Sequence, residues 1–255
     1  MSSIVACFKW VIDEAYIRRG SSGDLDFSFV DYKIGEYDRN AIEEAVRLKE
    51  SLGAKAIVVT VGIPEAAKGV KDALSRGTDE AYFITDSSFG NLDSSQTALI
   101  LTEVIRSKIQ QYDIILCGEG SSDLYAQQVG PRLAEQLGIP CISFVQKLSL
   151  RKDQFVAERR IEDGIEVITA PLPALVTVLP DINIPRIPSV KDTLMAGKKP
   201  TVKITKDELP PLGEPLLRTI SLTASRMERN CERFGTDAAE ITRFVGSLRK
   251  KGVIG

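Results

Sequence analysis

CGEGSSDLYAQQVGPRLAEQLG, residues 117–138, decides how the chain is read. The apolar run Ile114-Ile115-Leu116 before it has the make-up of a strand buried on both faces. After it Val129, Leu133 and Leu137 recur every four residues, and Gly138 stops the helix they imply. A strand, a glycine-rich loop and a helix in that order make the repeating unit of a parallel α/β sheet. Such loops often hold phosphates, but this one has no Walker lysine and carries two acids, Glu119 and Asp123.

The same unit repeats on either side. Ile4 to Phe8, Ala56 to Val61, Ala81 to Ile84, Asp113 to Leu116 and Cys141 to Val145 read as buried strands. Helical patterns lie between them: Ala41 to Leu52 with Asp38 as the expected N-cap and Gly53 as the stop, Ala66 to Leu74 behind Pro64, and Thr97 to Ile105 behind a Ser94 cap. Five β-α repeats in about 145 residues predict an α/β fold, a mostly parallel, doubly wound sheet with helices on both faces. Ligands in such sheets sit beyond the carboxyl ends of the strands. The loops after Phe8, Val61 and Leu116 are therefore the candidates. Past residue 146 the pattern changes. Segments 154–159 and 165–168 flank Asp163-Gly164 and predict a β-hairpin, and Ala174 to Val178 a last core strand. Seven prolines from 180 to 215 then punctuate extended chain. The expected organisation is an α/β nucleotide-binding domain over 1–200 and an extended C-terminal arm over 201–255, with a short helix at 238–250, packed on a partner subunit.

The totals narrow the chemistry. Of 255 residues 43% are hydrophobic and 27% charged, with a net charge of −2. No basic bias points to nucleic acid, and no apolar run of about 20 residues points to a membrane span. The N-terminus reads directly into a strand, so no signal peptide is expected and the expected address is the cytoplasm. Histidine is absent, which removes Ser-His and Cys-His nucleophile systems and histidine metal sites. Of the four scattered cysteines, Cys7, Cys117 and Cys141 lie in apolar strand contexts and read as buried thiols. No metal site is expected. An enzyme built from this chain would work with carboxylates, lysine or a cofactor.

Within the 117–138 loop, Gly118 and Gly120 let backbone approach a ligand, Ser121, Ser122 and Asp123 are all competent N-caps, and a helix start there would offer N–H groups to a phosphate. A plain structural turn capped by Asp123 explains the same residues. Gly-x-Gly alone does not choose between the two.

Several segments, in order from the N-terminus to about residue 200, resemble the beta subunit of electron transfer flavoprotein. They are CFKWVIDEAYIR at 7–18, DRNAIEEAVRLKE at 38–50, DALSRGTDEAYFI at 72–84, SSDLYAQQVGPRLAEQLGIP at 121–140 and, most specifically, LPALVTVLPDINIPRIPSVKDTLMAGKKP at 172–200. The resemblance implies an electron carrier rather than a substrate-converting enzyme. It pairs with an alpha subunit as a heterodimer between flavin dehydrogenases and a quinone reductase or ferredoxin-type acceptor. It also implies a nucleotide site at Cys7; Gly35, Glu36, Tyr37 and Asp38; Val61; Gly118; and Ser121, Ser122, Asp123, Leu124, Tyr125, Ala126, Gln127, Gln128, Val129, Gly130, Pro131 and Arg132. The Val-Gly-Pro wording at 129–131 resembles members that hold FAD in the beta site, with AMP as the alternative. GEGSSDLYAQQVG resembles the branch associated with nitrogen fixation, carnitine metabolism and flavin-based bifurcation. Arg186 and Val190 fall where the family docks its dehydrogenase. The alpha subunit would hold most of the second FAD.

Lys9 and Asp13 flank the first strand end and read as an ion pair, or as neighbours of a flavin. Glu162-Asp163 reads first as a hairpin turn, Trp10 as packing, and Asn183 and Lys198-Lys199 as solvated. Two other functions use a similar sheet. A universal-stress-type nucleotide sensor lacks a proline-studded arm. An ATP-pyrophosphatase-like ligase needs a glycine loop after the first strand, where this chain has Phe8-Lys9-Trp10.

Overall fold

The computed structural model describes residues 3–20, 24–151, 154–224 and 231–254, without the side chain of Arg151. The expected Gly/Ser turn at 20–23 falls, after Gly20, outside these residues. Nine strands form one sheet: β1 (Ser3–Cys7), β2 (Lys55–Gly62), β3 (Glu80–Thr85), β4 (Ile114–Gly118), β5 (Cys141–Arg151), β6 (Gln154–Ile161), β7 (Gly164–Pro171), β8 (Ala174–Val178) and β9 (Thr201–Thr205). Their order is β7-β6-β5-β8-β4-β1-β2-β3-β9. From β5 to β9 neighbours run parallel; β5, β6 and β7 pair antiparallel. The architecture is the expected α/β one, a mostly parallel sheet flanked by helices.

The strands feed helices α1 (Glu36–Leu52), α2 (Ala67–Ser75), α3 (Ser94–Lys108), α4 (Val129–Leu137) and α5 (Val190–Ala196). Alternation along each strand splits the core in two. Ile4 and Ala6 of β1 face Ala41, Ile42, Ala45 and Leu48 of α1 and Val70 and Leu74 of α2. Val5 and Cys7 face Ile100, Leu101, Val104 and Ile105 of α3 and Leu133 and Ala134 of α4. With helices covering both faces, strands such as Ala174–Val178 are buried at every position, which is why they read as continuous apolar runs.

Helix starts differ from expectation. Gly35, not Asp38, is the N-cap of α1, so Asp38 lies inside the first turn and is free to turn inward. Asp93, not Ser94, caps α3, in a capping box with Gln96. α4 begins only at Val129, and Ser121 to Gln128 is loop. Cys141 is exposed at the start of β5, whereas Cys7 and Cys117 are buried as expected. Glu162 and Asp163 form the tip of the β6–β7 hairpin.

The chain divides into two compact units, Met1–Arg18 with Asp26–Ser221, and Arg19–Leu25 with Leu222–Gly255. The first takes in Thr201–Thr205, which pairs in parallel with β3 from Thr201↔Ala81 to Thr205↔Thr85. The second contains helix α6 (Ala238–Lys250), none of whose residues is buried. Within it Phe234 meets the ring of Phe244 edge-on, with the Arg243 guanidinium over Phe234. In the first unit Leu216, Leu217 and Ile220 are exposed, and Leu222, which begins the longer segment of the second, is exposed too.

Candidate functional site

β1 is followed in sequence by β2 on one side, while β4 lies on its other side. The chain therefore reverses its winding between β1 and β4, and the crevice beyond their carboxyl ends is the topological switch point. Most of the expected nucleotide residues come to it. Cys7 ends β1 and Gly118 ends β4. Gly35, Glu36 and Tyr37 enter α1 above them. Val61 stands near the end of β2, the adjoining strand.

Asp38 ties these pieces together. Its Oδ2 accepts the Lys9 N–H at 2.8 Å and its Oδ1 the Gly118 N–H at 3.2 Å. One carboxylate thus joins the ends of both switch-point strands to the first turn of α1. Burial pushes its carboxyl up to about 7, against the pull of those two N–H groups. The fit is close. A Cβ on Gly118 would stand 2.5 Å from Asp38 Oδ1 and 2.7 Å from Tyr37 Cβ, so only glycine lets α1 approach this near.

The loop after β4 is held across the crevice. Lys9 Nζ pairs with Asp123 Oδ2 at 2.5 Å. Burial works against the charge on Asp123, but the lysine holds its carboxyl below the usual range. The Lys9–Asp13 pair expected from sequence is absent among the described ion pairs, and Asp13 instead meets Lys33 at 3.1 Å. The rings of Tyr37 and Tyr125 lie 5.4 Å apart. A hydrogen bond between the two tyrosines, with burial, raises the Tyr37 hydroxyl to about 12. Tyr125 also covers Gly120, whose Cβ would fall 2.5 Å from the ring. Tyr125 and Gln127 take left-handed backbone, φ 46° and 57°, a conformation unusual for side chains of this kind. Ser122 Oγ is shielded from solvent and has no hydrogen-bond partner among the described residues.

Glu119, outside the expected set, anchors the loop from below. Its Oε2 accepts the Phe144 N–H at 2.8 Å and a short hydrogen bond from the Thr177 hydroxyl, and Gln127 reaches Oε1 at 3.4 Å. Burial raises its carboxyl, opposed by the Thr177 and Phe144 donors. Phe144 has a left-handed φ of 63°, where β5 bulges against β8. An acid directly after a strand-ending glycine was the only sequence signal for it.

Other members of the set make different contacts. Leu124 is exposed. Gln128 faces α3, accepting from Ser94 Oγ at 2.7 Å and Arg132 Nε at 3.2 Å. Gly130 is buried against the sheet, with a built Cβ 2.7 Å from Thr177 Cγ2. Its missing side chain makes room for β8.

The segment from Asn183 is pinned rather than solvated. Asn40 Nδ2 donates to the carbonyls of Pro180 and Asn183, and Asn183 Nδ2 donates to Glu44 at 2.9 Å. Arg186 forks onto Glu43, with Nε at 2.8 Å and Nη2 at 3.1 Å, and onto Glu50 at 2.8 Å. With its backbone fixed to α1, the segment leaves Ile184 and Ile187 93% exposed, Val190 79% and Leu194 69%. Such a group of large apolar side chains marks an interaction surface.

No helix among the described residues is long and apolar enough to cross a membrane, and no group of metal-binding side chains is found among them. Residues 26–209 match the model of the electron transfer flavoprotein domain. The match runs from before α1 through β9 and takes in the crevice loop, the pinned segment and its exposed apolar side chains. The universal-stress-type reading is not favoured by it. Because the match spans well over half of the sequence, the chain belongs to the electron transfer flavoprotein family.

Proposed function

We propose that the chain is the beta subunit of an electron transfer flavoprotein and forms a heterodimer with an alpha subunit. In this reading it carries electrons in the cytoplasm from a flavin dehydrogenase of the acyl-CoA dehydrogenase type to a quinone reductase or ferredoxin-type acceptor. The observation that carries the proposal is the convergence of Cys7, Gly35 to Asp38, Gly118 and the 121–127 loop on the switch point of the sheet. The residues fit a nucleotide. Ser122 offers a shielded hydroxyl with no hydrogen-bond partner among the described residues. The first turn of α4 has no side-chain cap, which leaves N–H groups for a phosphate. Tyr37 and Tyr125 offer ring faces to a flat base.

FAD in this site is the favoured occupant, with AMP as the alternative; a second FAD sits mainly on the alpha subunit. Bound FAD supplies the redox chemistry, and the protein supplies binding, orientation and exclusion of water. Lys9 and Asp123 hold the loop over the site, Asp38 fixes the strand ends beneath it, and Arg186 presents the segment around Val190 to the dehydrogenase. The C-terminal arm packs on the alpha subunit, which covers Leu216, Leu217, Ile220 and Leu222. The wording of the 118–130 loop supports the bifurcating branch. Acid extraction of the purified heterodimer followed by chromatography tests the site. The expected result is one FAD beyond that of the alpha subunit. Recovery of AMP would overturn the FAD assignment, and recovery of no nucleotide beyond the alpha subunit's FAD would overturn the site.

A further inference from the structure

The structure also speaks to the chemistry of the partner that meets the Val190 segment, an inference resting on the docking role proposed above. α5, which begins at Val190, packs against α2, and between them lies a groove of about 330 Å³ lined by Lys68, Lys71, Asp72, Ser75, Pro188 and Thr193. Lys68 and Lys71 are exposed and make no ion pair or hydrogen bond among the described residues. They stand three residues apart on one helix face, where like charges repel.

The acids that line the groove, cap α5 or face Arg186 are already engaged, while Glu65, three residues before Lys68, is exposed. Asp72, the one carboxylate among the lining residues, is gripped by Arg76, Nε to Oδ1 at 3.1 Å and Nη2 to Oδ2 at 3.2 Å. Asp192 closes the capping box of α5, accepting the Ser189 hydroxyl at 2.6 Å and its N–H at 3.1 Å. Glu43 and Glu50 are held by Arg186. Lys191, beside Val190, is exposed and unpaired among the described residues. A chain of net charge −2 thus shows three exposed lysines without ion pairs among the described residues beside the exposed Val190.

We propose that the partner docking on Val190 is acidic, and that a carboxylate on its surface enters the groove between α2 and α5 to meet Lys68 and Lys71. The apolar side chains supply contact area. The lysines steer the encounter, as complementary charge does in transient complexes, and relieve their own repulsion only when the partner arrives.

Stopped-flow reduction of the purified heterodimer, by a flavin dehydrogenase that reduces the wild type, tests this across a salt series. The wild-type second-order rate should fall as salt rises, because screening sets in within about 10 Å at 0.1 M. Lys68→Glu with Lys71→Glu should cut the low-salt rate about tenfold and flatten or invert the salt dependence. The rate at saturating dehydrogenase should stay unchanged. Should the reversed pair fail to yield folded heterodimer, Lys68→Gln with Lys71→Gln should still flatten the salt dependence. Unchanged rate and salt slope, or a faster reaction, would overturn the acidic partner. A Val190→Asp heterodimer measured alongside separates the two claims. If it is slow while the lysine variants are normal, the docking role stands and the charge inference fails; if it too is normal, the docking role itself fails.

Discussion

Asp38 Oδ2 accepts the backbone N–H of Lys9 at 2.8 Å, and this contact fixes the first turn of α1 over the end of β1. Burial holds the Asp38 carboxyl up to about 7, from 3.8. A carboxyl raised in the folded state favours folding most when protonated. Its contribution is fully present below about pH 3.8 and is lost as pH rises through about 7, a change of about 4 kcal/mol at most. Thermal unfolding followed across that window should show this falling component, and Asp38→Asn should remove it. An identical pH slope in the variant would locate the titration elsewhere.

Glu119 is the second buried carboxylate that shapes the loop. Glu119→Ala leaves the Thr177 hydroxyl without its acceptor and the Phe144 N–H with only Thr177 Oγ1 at 3.3 Å. Each unpaired buried group costs about 1–3 kcal/mol. Urea unfolding should show a loss of that order, with Glu119→Gln intermediate. A midpoint matching the wild type would mean that the bulge at Phe144 holds itself.

Gly130 packs against Thr177, with a built Cβ 2.7 Å from the threonine methyl. Gly130→Val should therefore cost about 1–3 kcal/mol through overpacking. Thr177→Ser in the same chain removes the opposing methyl and should recover part of the loss. Equal destabilisation in single and double variants would show that the clash lies elsewhere.

Val190 is 79% exposed on a segment whose backbone is pinned by Arg186. Val190→Asp should slow reduction of the heterodimer by its dehydrogenase about tenfold, as truncating or charging an interface anchor costs about 1–3 kcal/mol. Flavin content and spectrum should not change. Loss of flavin would mean that the segment supports the cofactor site instead.

The sheet was legible because strands such as Ile114-Ile115-Leu116 are buried on both faces and flanked by helical periodicities. The helix starts were not. Asp38 has the chemistry of a cap, but with Gly35 available as N-cap it serves better as an inward acceptor for two strand-end N–H groups. Ser121-Ser122-Asp123 reads as the start of a helix, yet Asp123 spends its carboxylate on Lys9 and the Leu124 N–H. The chain reaches α4 only after the left-handed turns at Tyr125 and Gln127. Thr201–Thr205 lies among prolines and reads as arm, but beside β3 it finds a free parallel edge. Glu119, Phe144 and Thr177 meet only in three dimensions, through a bulge that no local pattern announces.

In the proposed function this chain, with an alpha subunit, relays electrons and converts no substrate of its own. The most direct measurement is the anaerobic absorption spectrum of the purified heterodimer during mixing, first with a reduced flavin dehydrogenase and then with an acceptor reductase. The account predicts flavin bands that bleach on the first mixing and return on the second. A folded chain that purifies without a partner, shows no flavin absorbance and takes up no electrons would contradict it.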